Sequence, residues 1–440
     1  MAQQGESEPV YVHSAEDALE PKHLIRRSDV ILRAGALMLG AGTGSRRVKE
    51  TMRQVGQALD VDRVQTQITL NEIVLTISRR GIFRTQVAEI PSPGVNADRV
   101  AALKTWAGSL PPHMTVKDVQ AGLDAIVARP ARYPDLVRAV GAGAACAGFA
   151  HLNNGAVLEV FGAAVAAFAG QWLRIALLHR KLNQLAVVFA AAVLACLVYL
   201  GASWLGTQVA GLPADRQVAG FTSAVLFLVP GFPLITAALD LARLDLAAGI
   251  SRLTYAALVT VTAAMGMWGV STVFGLVPTV APPLLADPWV TLTLRLAATF
   301  LGVAGFAVVF NSPPRPALAA ALIATVANTP RISLVEAGVA PLVAAALATC
   351  TIGLVAWYVG AALGLPRIIL SVPAVVIMVP GAAAYRALVS FNDGDLLGAL
   401  DYGISAVLVV LGMALGLAAA RMLTDRDWAF VEARPPRRRD

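Results

Sequence analysis

From Pro134 to Leu423 the chain is a succession of long apolar runs separated by short polar turns, whereas residues 1–133 alternate charged and apolar positions. A helix crossing the hydrocarbon core of a bilayer needs about 20 mainly apolar residues. Ten segments meet that length: 136–153, 155–176, 184–206, 218–239, 251–276, 289–310, 315–333, 335–361, 368–390 and 398–422. The N-terminal part reads differently. Helical periodicity runs from Ser28 to Leu59, with a break at the glycines of 40–44 and a fresh helix start at Ser45. Three alternating runs, Val64–Leu70, Glu72–Ser78 and Phe83–Ile90, predict a small antiparallel sheet. Two amphipathic helices follow over Asp98–Ser109 and Thr115–Ala128, with a loop at Pro91–Gly94 between sheet and helices.

The expected fold is therefore an α-helical polytopic membrane protein preceded by a small α+β domain. Five units are predicted: a disordered tail (1–27), the α+β domain (28–133), two five-helix membrane halves (134–278 and 279–423) and a basic tail (424–440).

Composition agrees. Of 440 residues, 57% are hydrophobic and 14% charged, against about 25% charged in soluble domains. The net charge of +7 lies largely in short loops and tails, which is a topological signature and not a nucleic-acid surface. Arg and Lys recur in alternate loops, at His179–Lys181, Arg243 with Arg252, Arg315 and Arg367, and in the C-terminal tail. Arg216 and Arg331 are exceptions. The alternation places both termini in the cytoplasm of a multi-pass inner-membrane protein. Cys146, Cys196 and Cys350 each sit in an apolar run, so no disulfide framework is expected. Scattered histidines give no metal-ligand spacing, and no cofactor is expected. The first residues lack the apolar core of a cleavable signal peptide.

One segment recurs. Leu228-Val-Pro-Gly231 returns as Met378-Val-Pro-Gly381, and Asp245-Leu246 returns as Asp395-Leu396, both 150 positions on (380 − 230 and 395 − 245). Five expected spans separate the copies, so the halves enter the membrane in opposite directions, as in many secondary transporters. Pro230 and Pro380 each lie 12 residues into their spans (230 − 218 and 380 − 368), about 18 Å deep at 1.5 Å per residue. Proline removes a backbone donor there and glycine permits an unwound turn. A structural kink is the bland reading. Recurrence at matched depth favours a break that lines a substrate path, with Pro233 a second break in the first copy only.

The Gly-x-Gly-x-Gly at 40–44 follows a helix and lacks the Lys-Ser/Thr of a phosphate-binding loop, so it reads as a tight turn. Together with the residues after it, however, it carries a resemblance. The stretch Leu32–Leu59 with its Gly-Thr-Gly-Ser-Arg-Arg-Val-Lys-Glu, the Pro230–Asp240 segment, the Asn311-Ser-Pro-Pro-Arg315 turn and Pro380-Gly381 resemble the threonine/serine exporter family over nearly the whole chain. The resemblance implies proton-driven export of small hydroxy amino acids across the inner membrane, with a cytoplasmic domain ahead of ten spans. Two positions depart from the family pattern: Glu159 replaces an aspartate, and Ala383 stands where a second proline would complete the second break.

A zwitterionic amino acid needs partners for its carboxylate and its ammonium group. Ionisable residues inside spans are the default candidates because burying them is costly. Glu159 or Asp240 is expected to meet the ammonium group or carry the proton, and Arg386 to hold the carboxylate. Against this, Asp240 also fits a cap or a pair with Arg243, Glu159 and Arg386 fit a structural ion pair, and Arg295 fits a snorkelling cation. Pro230, Gly231, Pro233, Thr236, Pro380, Gly381 and Asn328 complete the candidate substrate site, though Thr236 and Asn328 equally suit bonds to their own backbone. The expected partners are a small-molecule substrate, the lipid bilayer and protons, and a homo-oligomer is compatible. An intramembrane protease is disfavoured because Asp393 and Asp395 fall in a loop, and no triad order is readable in the N-terminal domain. A passive channel is the remaining alternative.

Overall fold

The computed structural model describes residues 15–90, 94–211, 218–276 and 287–425. Expectations for residues 1–14, for the loop at 91–93, for Arg216 and for most of the basic tail lie outside the described residues.

The N-terminal domain is built as α1 (Ala15–Gly40), α2 (Ser45–Ala58), β1 (Arg63–Ile68), β2 (Glu72–Arg79), β3 (Ile82–Glu89), α3 (Ala97–Gly108) and α4 (Val116–Val127). The helix expected from Ser28 begins at Ala15, so half of the predicted tail is helical, and Leu24 is already buried. The strands form an antiparallel sheet in the order β1-β2-β3. A two-residue turn joins β2 to β3, with Arg80 (φ 51°) and Gly81 (φ 82°) both left-handed, the conformation that matches strand twist. Ile73, Leu75 and Ile77 project from one face of β2 onto Ile31, Met38, Met52, Val55, Leu103 and Leu123. Asn96 and Thr115 cap α3 and α4 by accepting the backbone N–H of Arg99 and Asp118.

The second core belongs to a helical bundle: α5 (Asp135–Leu152), α6 (Val157–His179), α7 (Gln184–Ala210), α8 (Val218–Ser223) with a 3₁₀ turn at Leu226–Leu228, α9 (Gly231–Leu241), α10 (Leu246–Phe274), α11 (Pro288–Val309), α12 (Pro314–Glu336), α13 (Pro341–Leu363), α14 (Arg367–Val376), α15 (Gly381–Asn392) and α16 (Leu396–Thr424). Among the described residues, seven helices are long and apolar enough to cross a membrane, or nine if each bent pair counts as one span. The bent pairs are α8/α9, at 65°, and α14/α15, at 42°. The tenth expected span, α5, has 18 residues and carries Asp135, Arg138 and His151, which leaves it short of the apolarity of the others.

The two sets of helices share fine backbone detail. The starts of α6 and α7 recur 157 positions later in α12 and α13 (314 − 157 and 341 − 184), and those of α9 and α10 recur 150 later in α15 and α16 (381 − 231 and 396 − 246). The turns recur too. Asn154 (φ 65°) matches Asn311 (φ 57°), and Leu244 (φ 60°) matches Gly394 (φ 82°). Pro230 (φ −80°, ψ 61°) and Pro380 (φ −80°, ψ 51°) each centre an inverse γ-turn, closed by Gly231 N–H on Val229 O and by Gly381 N–H on Val379 O, both 2.8 Å.

The equivalent helices α5 and α11 run antiparallel. Gly141 faces Gly305, while Gly148 faces Ala298 and Gly302, so the register rises on one helix as it falls on the other. A Cβ on Gly305 would lie 2.4 Å from Gly141 O, the close approach that small residues allow in membrane bundles. The breaks cross reciprocally as well: Gly231 abuts Val376 and Val379, and Gly381 abuts Leu226 and Val229. Likewise α9 packs on α16, and α15 on α10.

The soluble domain sits on one end of the bundle. Ala97 N–H donates to Phe310 O (2.9 Å), Leu70 N–H to Ser251 Oγ (3.0 Å), and Arg46 pairs with Asp425 (2.9 Å).

Candidate substrate cavity at the first helix break

Pro230 interrupts the helix that α8 and α9 would otherwise form, and a cavity of about 950 Å³ lies beside the break. Pro233, expected as a second break, sits instead in the first turn of α9, where its missing N–H costs no helix bond. Pro230, Pro233 and Thr236 of α9 form one wall, Gln171 and Arg174 of α6 another, and Arg252 and Tyr255 of α10 a third. Leu39, Gly42, Leu70 and Val95 of the N-terminal domain contribute to the lining, so the cavity is shared between that domain and the bundle.

The lining is cationic. Arg138, Arg174, Lys181 and Arg252 face the cavity and no carboxylate does. Arg252 is 2% exposed, its Nη1 lies 3.0 Å from Asp240 Oδ2, and neither Nη1 nor Nη2 has hydrogen-bonding geometry to any acceptor among the described residues. The reason lies in the competition for Asp240. Its Oδ1 accepts from the backbone N–H (3.2 Å) and hydroxyl (3.0 Å) of Ser45, so Asp240 serves as the missing side-chain cap of α2. Arg252 thus has its charge balanced while its donors stay available. Arg174 reaches Gln171 Oε1 only at 3.4 Å, and Tyr255 accepts from Gln184 Nε2. Next to this joint, Asp245 shares the single Ser45 hydroxyl proton with Asp240 (2.7 Å to Asp245 Oδ2) and accepts from Lys49 Nζ (2.5 Å). Burial alone would raise the Asp245 carboxyl, but those two donors hold it below the usual carboxylate range.

Of the residues singled out from sequence, Pro230, Pro233 and Thr236 line this cavity and Asp240 stands behind it. Thr236 turns its hydroxyl to Phe232 O (3.0 Å) and Pro233 O (3.1 Å). Gly231 and Gly381 pack on each other's broken segment, and Pro380 is not among the cavity residues. Glu159 is 1% exposed and accepts the N–H groups of Ala156 (2.8 Å) and Gly220 (3.1 Å), so it joins α6 to the start of α8 without pairing with Arg386. Arg386 stands over the Tyr402 ring, 6.0 Å from its centroid. Asn328 donates to Thr299 Oγ1 (3.1 Å) and accepts from Arg331 Nε (2.9 Å), and Arg295 pairs with Glu336.

Arg252, expected in a loop, lies inside α10. Arg174 and Gln171 passed unnoticed in the second span, although a cation and an amide three positions apart in an apolar helix are the standard signal of a buried polar site.

Residues 29–274 match the sequence family described as "Putative threonine/serine exporter", and residues 295–423 match "Threonine/Serine exporter, ThrE". A "Probable succinate transporter subunit YjjP" of Escherichia coli is 30% identical over 250 residues, covering 56% of this chain and 93% of that protein. The protein of the same name from Klebsiella aerogenes is 31% identical over 246 residues, covering 53% and 90%. A "Probable threonine/serine exporter" of Mycobacterium tuberculosis is 25% identical over 433 residues, covering 90% of this chain and 77% of its own length. No solved structure matches the chain.

Proposed function

The chain belongs to the threonine/serine exporter family and is a multi-pass membrane transporter, not an enzyme, and on that premise we propose that it exports small carboxylate-bearing metabolites, threonine and serine first, through the cavity beside Pro230. The observation that carries the reading is Arg252, which pairs with Asp240 yet makes no well-aligned hydrogen bond through Nη1 or Nη2 among the described residues, and which lines a cavity beside a broken helix. A substrate carboxylate is the chemistry such a guanidinium accepts best. The ammonium group of an amino acid would find Tyr255, Thr236 and Gln171 as neutral acceptors.

A second reading has its own support. Arg174 and Lys181 line the cavity beside the ion-paired Arg138 and Arg252, a cationic surplus that suits a dicarboxylate better than a zwitterion, and two relatives bear the name of succinate transporter subunits. Those relatives align over little more than half of this chain, which carries two family matches, at residues 29–274 and 295–423.

In the mechanism we favour, α5–α10 and α11–α16 are halves of opposite membrane orientation. Their equivalent first helices run antiparallel, and their breaks pack reciprocally, which supports that reading. Counting α5 and both bent pairs gives ten spans, with both termini on the cytoplasmic side of the inner membrane. The boundaries at 28–133, 134–278 and 279–423 follow from it. Alternating access would rock one half against the other around the breaks. Glu159, buried at the far end of α6 and bonded to the start of α8, is the proposed proton carrier. Proteoliposomes loaded with labelled threonine test the scheme: an inward proton gradient should speed efflux, whereas flux indifferent to the gradient would indicate a channel.

A further inference from the structure

A second cavity, of about 430 Å³, lies where the soluble domain meets the ends of α13, α14 and α16. Its volume is within the roughly 300–1,000 Å³ of small-molecule sites. It is separate from the substrate cavity and shares none of its lining. Arg46, Arg47, Lys104, Arg367 and Arg421 line it. The two carboxylates in the lining are already engaged, Asp425 with Arg46 (2.9 Å) and Glu50 with Arg53 (2.8 Å). Arg47 Nη1 is sealed from solvent and has no hydrogen-bond partner among the described residues. Burial, then the charges of Arg421, Arg367 and Arg46, push the Arg47 guanidinium below its ordinary pKa, and burial with Arg47, Arg367 and Arg421 does the same to Lys104. Cations gathered this way repel one another and are costly to hold without a counter-charge.

We propose that this cavity binds a phosphate-bearing anion, held by Arg47, Lys104, Arg367 and Arg421, which ties the soluble domain to the bundle. Guanidinium groups match the oxygen geometry of a phosphate bidentately, and several converging on one cavity make a multidentate site. A soluble phosphate and an anionic lipid headgroup share this chemistry.

The test uses the full-length protein. In lipid-free neutral detergent, inorganic phosphate should raise the melting temperature by about 5 °C over sodium chloride of equal ionic strength. The double variant Arg47→Gln/Lys104→Gln should lose that rise, while Lys117→Gln, on the exposed face of α4, keeps it. If the double variant fails to fold, Lys104→Gln alone should weaken phosphate about tenfold. A phosphate response in micelles assigns the site to a soluble ligand. A response seen only in phosphatidylcholine nanodiscs doped with phosphatidylglycerol, and lost in the variants, assigns it to a lipid. A response to neither, or equal responses in wild type and variants, would overturn the proposal.

Discussion

Ser45 donates its backbone N–H to the carboxylate of Asp240, 195 positions further along the chain, and its hydroxyl lies between Asp240 Oδ1 (3.0 Å) and Asp245 Oδ2 (2.7 Å). That contact fastens the first turn of α2 to the last turn of the broken helix and leaves the donors of Arg252 facing the cavity.

Asp240→Asn removes the counter-charge of a buried guanidinium and should cost about 3–5 kcal/mol of stability. Ser45→Ala removes hydrogen bonds alone and should cost about 1–3 kcal/mol. Melting of the two purified variants should preserve that order. The reverse order would mean that Arg252 does not depend on Asp240.

The neighbouring pair of Lys49 and Asp245 makes the joint sensitive to acid. Asp245 titrates below its ordinary value of 3.8, so its stabilising contribution is complete above that value and disappears as pH falls through the lower, folded-state pKa. Wild type and Lys49→Ala should therefore melt apart at neutral pH and converge below pH 3.8. A difference independent of pH would remove the carboxylate from the account.

Gly305→Ala pushes a methyl into Gly141 O at 2.4 Å, whereas a Cβ on Gly269 meets nothing within 4 Å. The first substitution should sharply reduce monodisperse protein after detergent extraction, and the second should leave the yield unchanged. Equal yields would contradict the close antiparallel crossing of α5 and α11.

Much of this architecture was legible in the sequence, and the reasons are local. Period-2 runs and the Arg80-Gly81 turn define the sheet, because strand alternation and left-handed φ leave direct marks on residue choice. The Pro-Gly pairs at 230–231 and 380–381 do form the breaks, where a proline without a donor is followed by a glycine that starts a new helix, whereas Pro330 and Pro373 stay inside continuous helices. Partners were harder to read. That Asp240 would meet Ser45 and Arg252, instead of Arg243, depends on how the soluble domain docks, which no local pattern encodes. Arg252 reads as a loop residue because a charge beside an apolar run looks like a boundary, yet it closes the second turn of a helix that starts at Leu246.

The opposed orientation of the halves can be checked by labelling. In a background with Cys146, Cys196 and Cys350 replaced by alanine, cysteines at Leu244 and Leu397, each 81% exposed, should react with impermeant maleimide from opposite faces of the membrane. Labelling from one face would end the mirrored arrangement.

The most direct test of the central claim is efflux of labelled threonine and of labelled succinate from proteoliposomes bearing wild type or Arg174→Gln. Arg174 lines the cavity and lacks a carboxylate partner among the described residues, so its loss should leave the protein inserted while export of the true substrate falls about tenfold or more. Undiminished efflux of both compounds from the Arg174→Gln protein would contradict a carboxylate passing through this cavity.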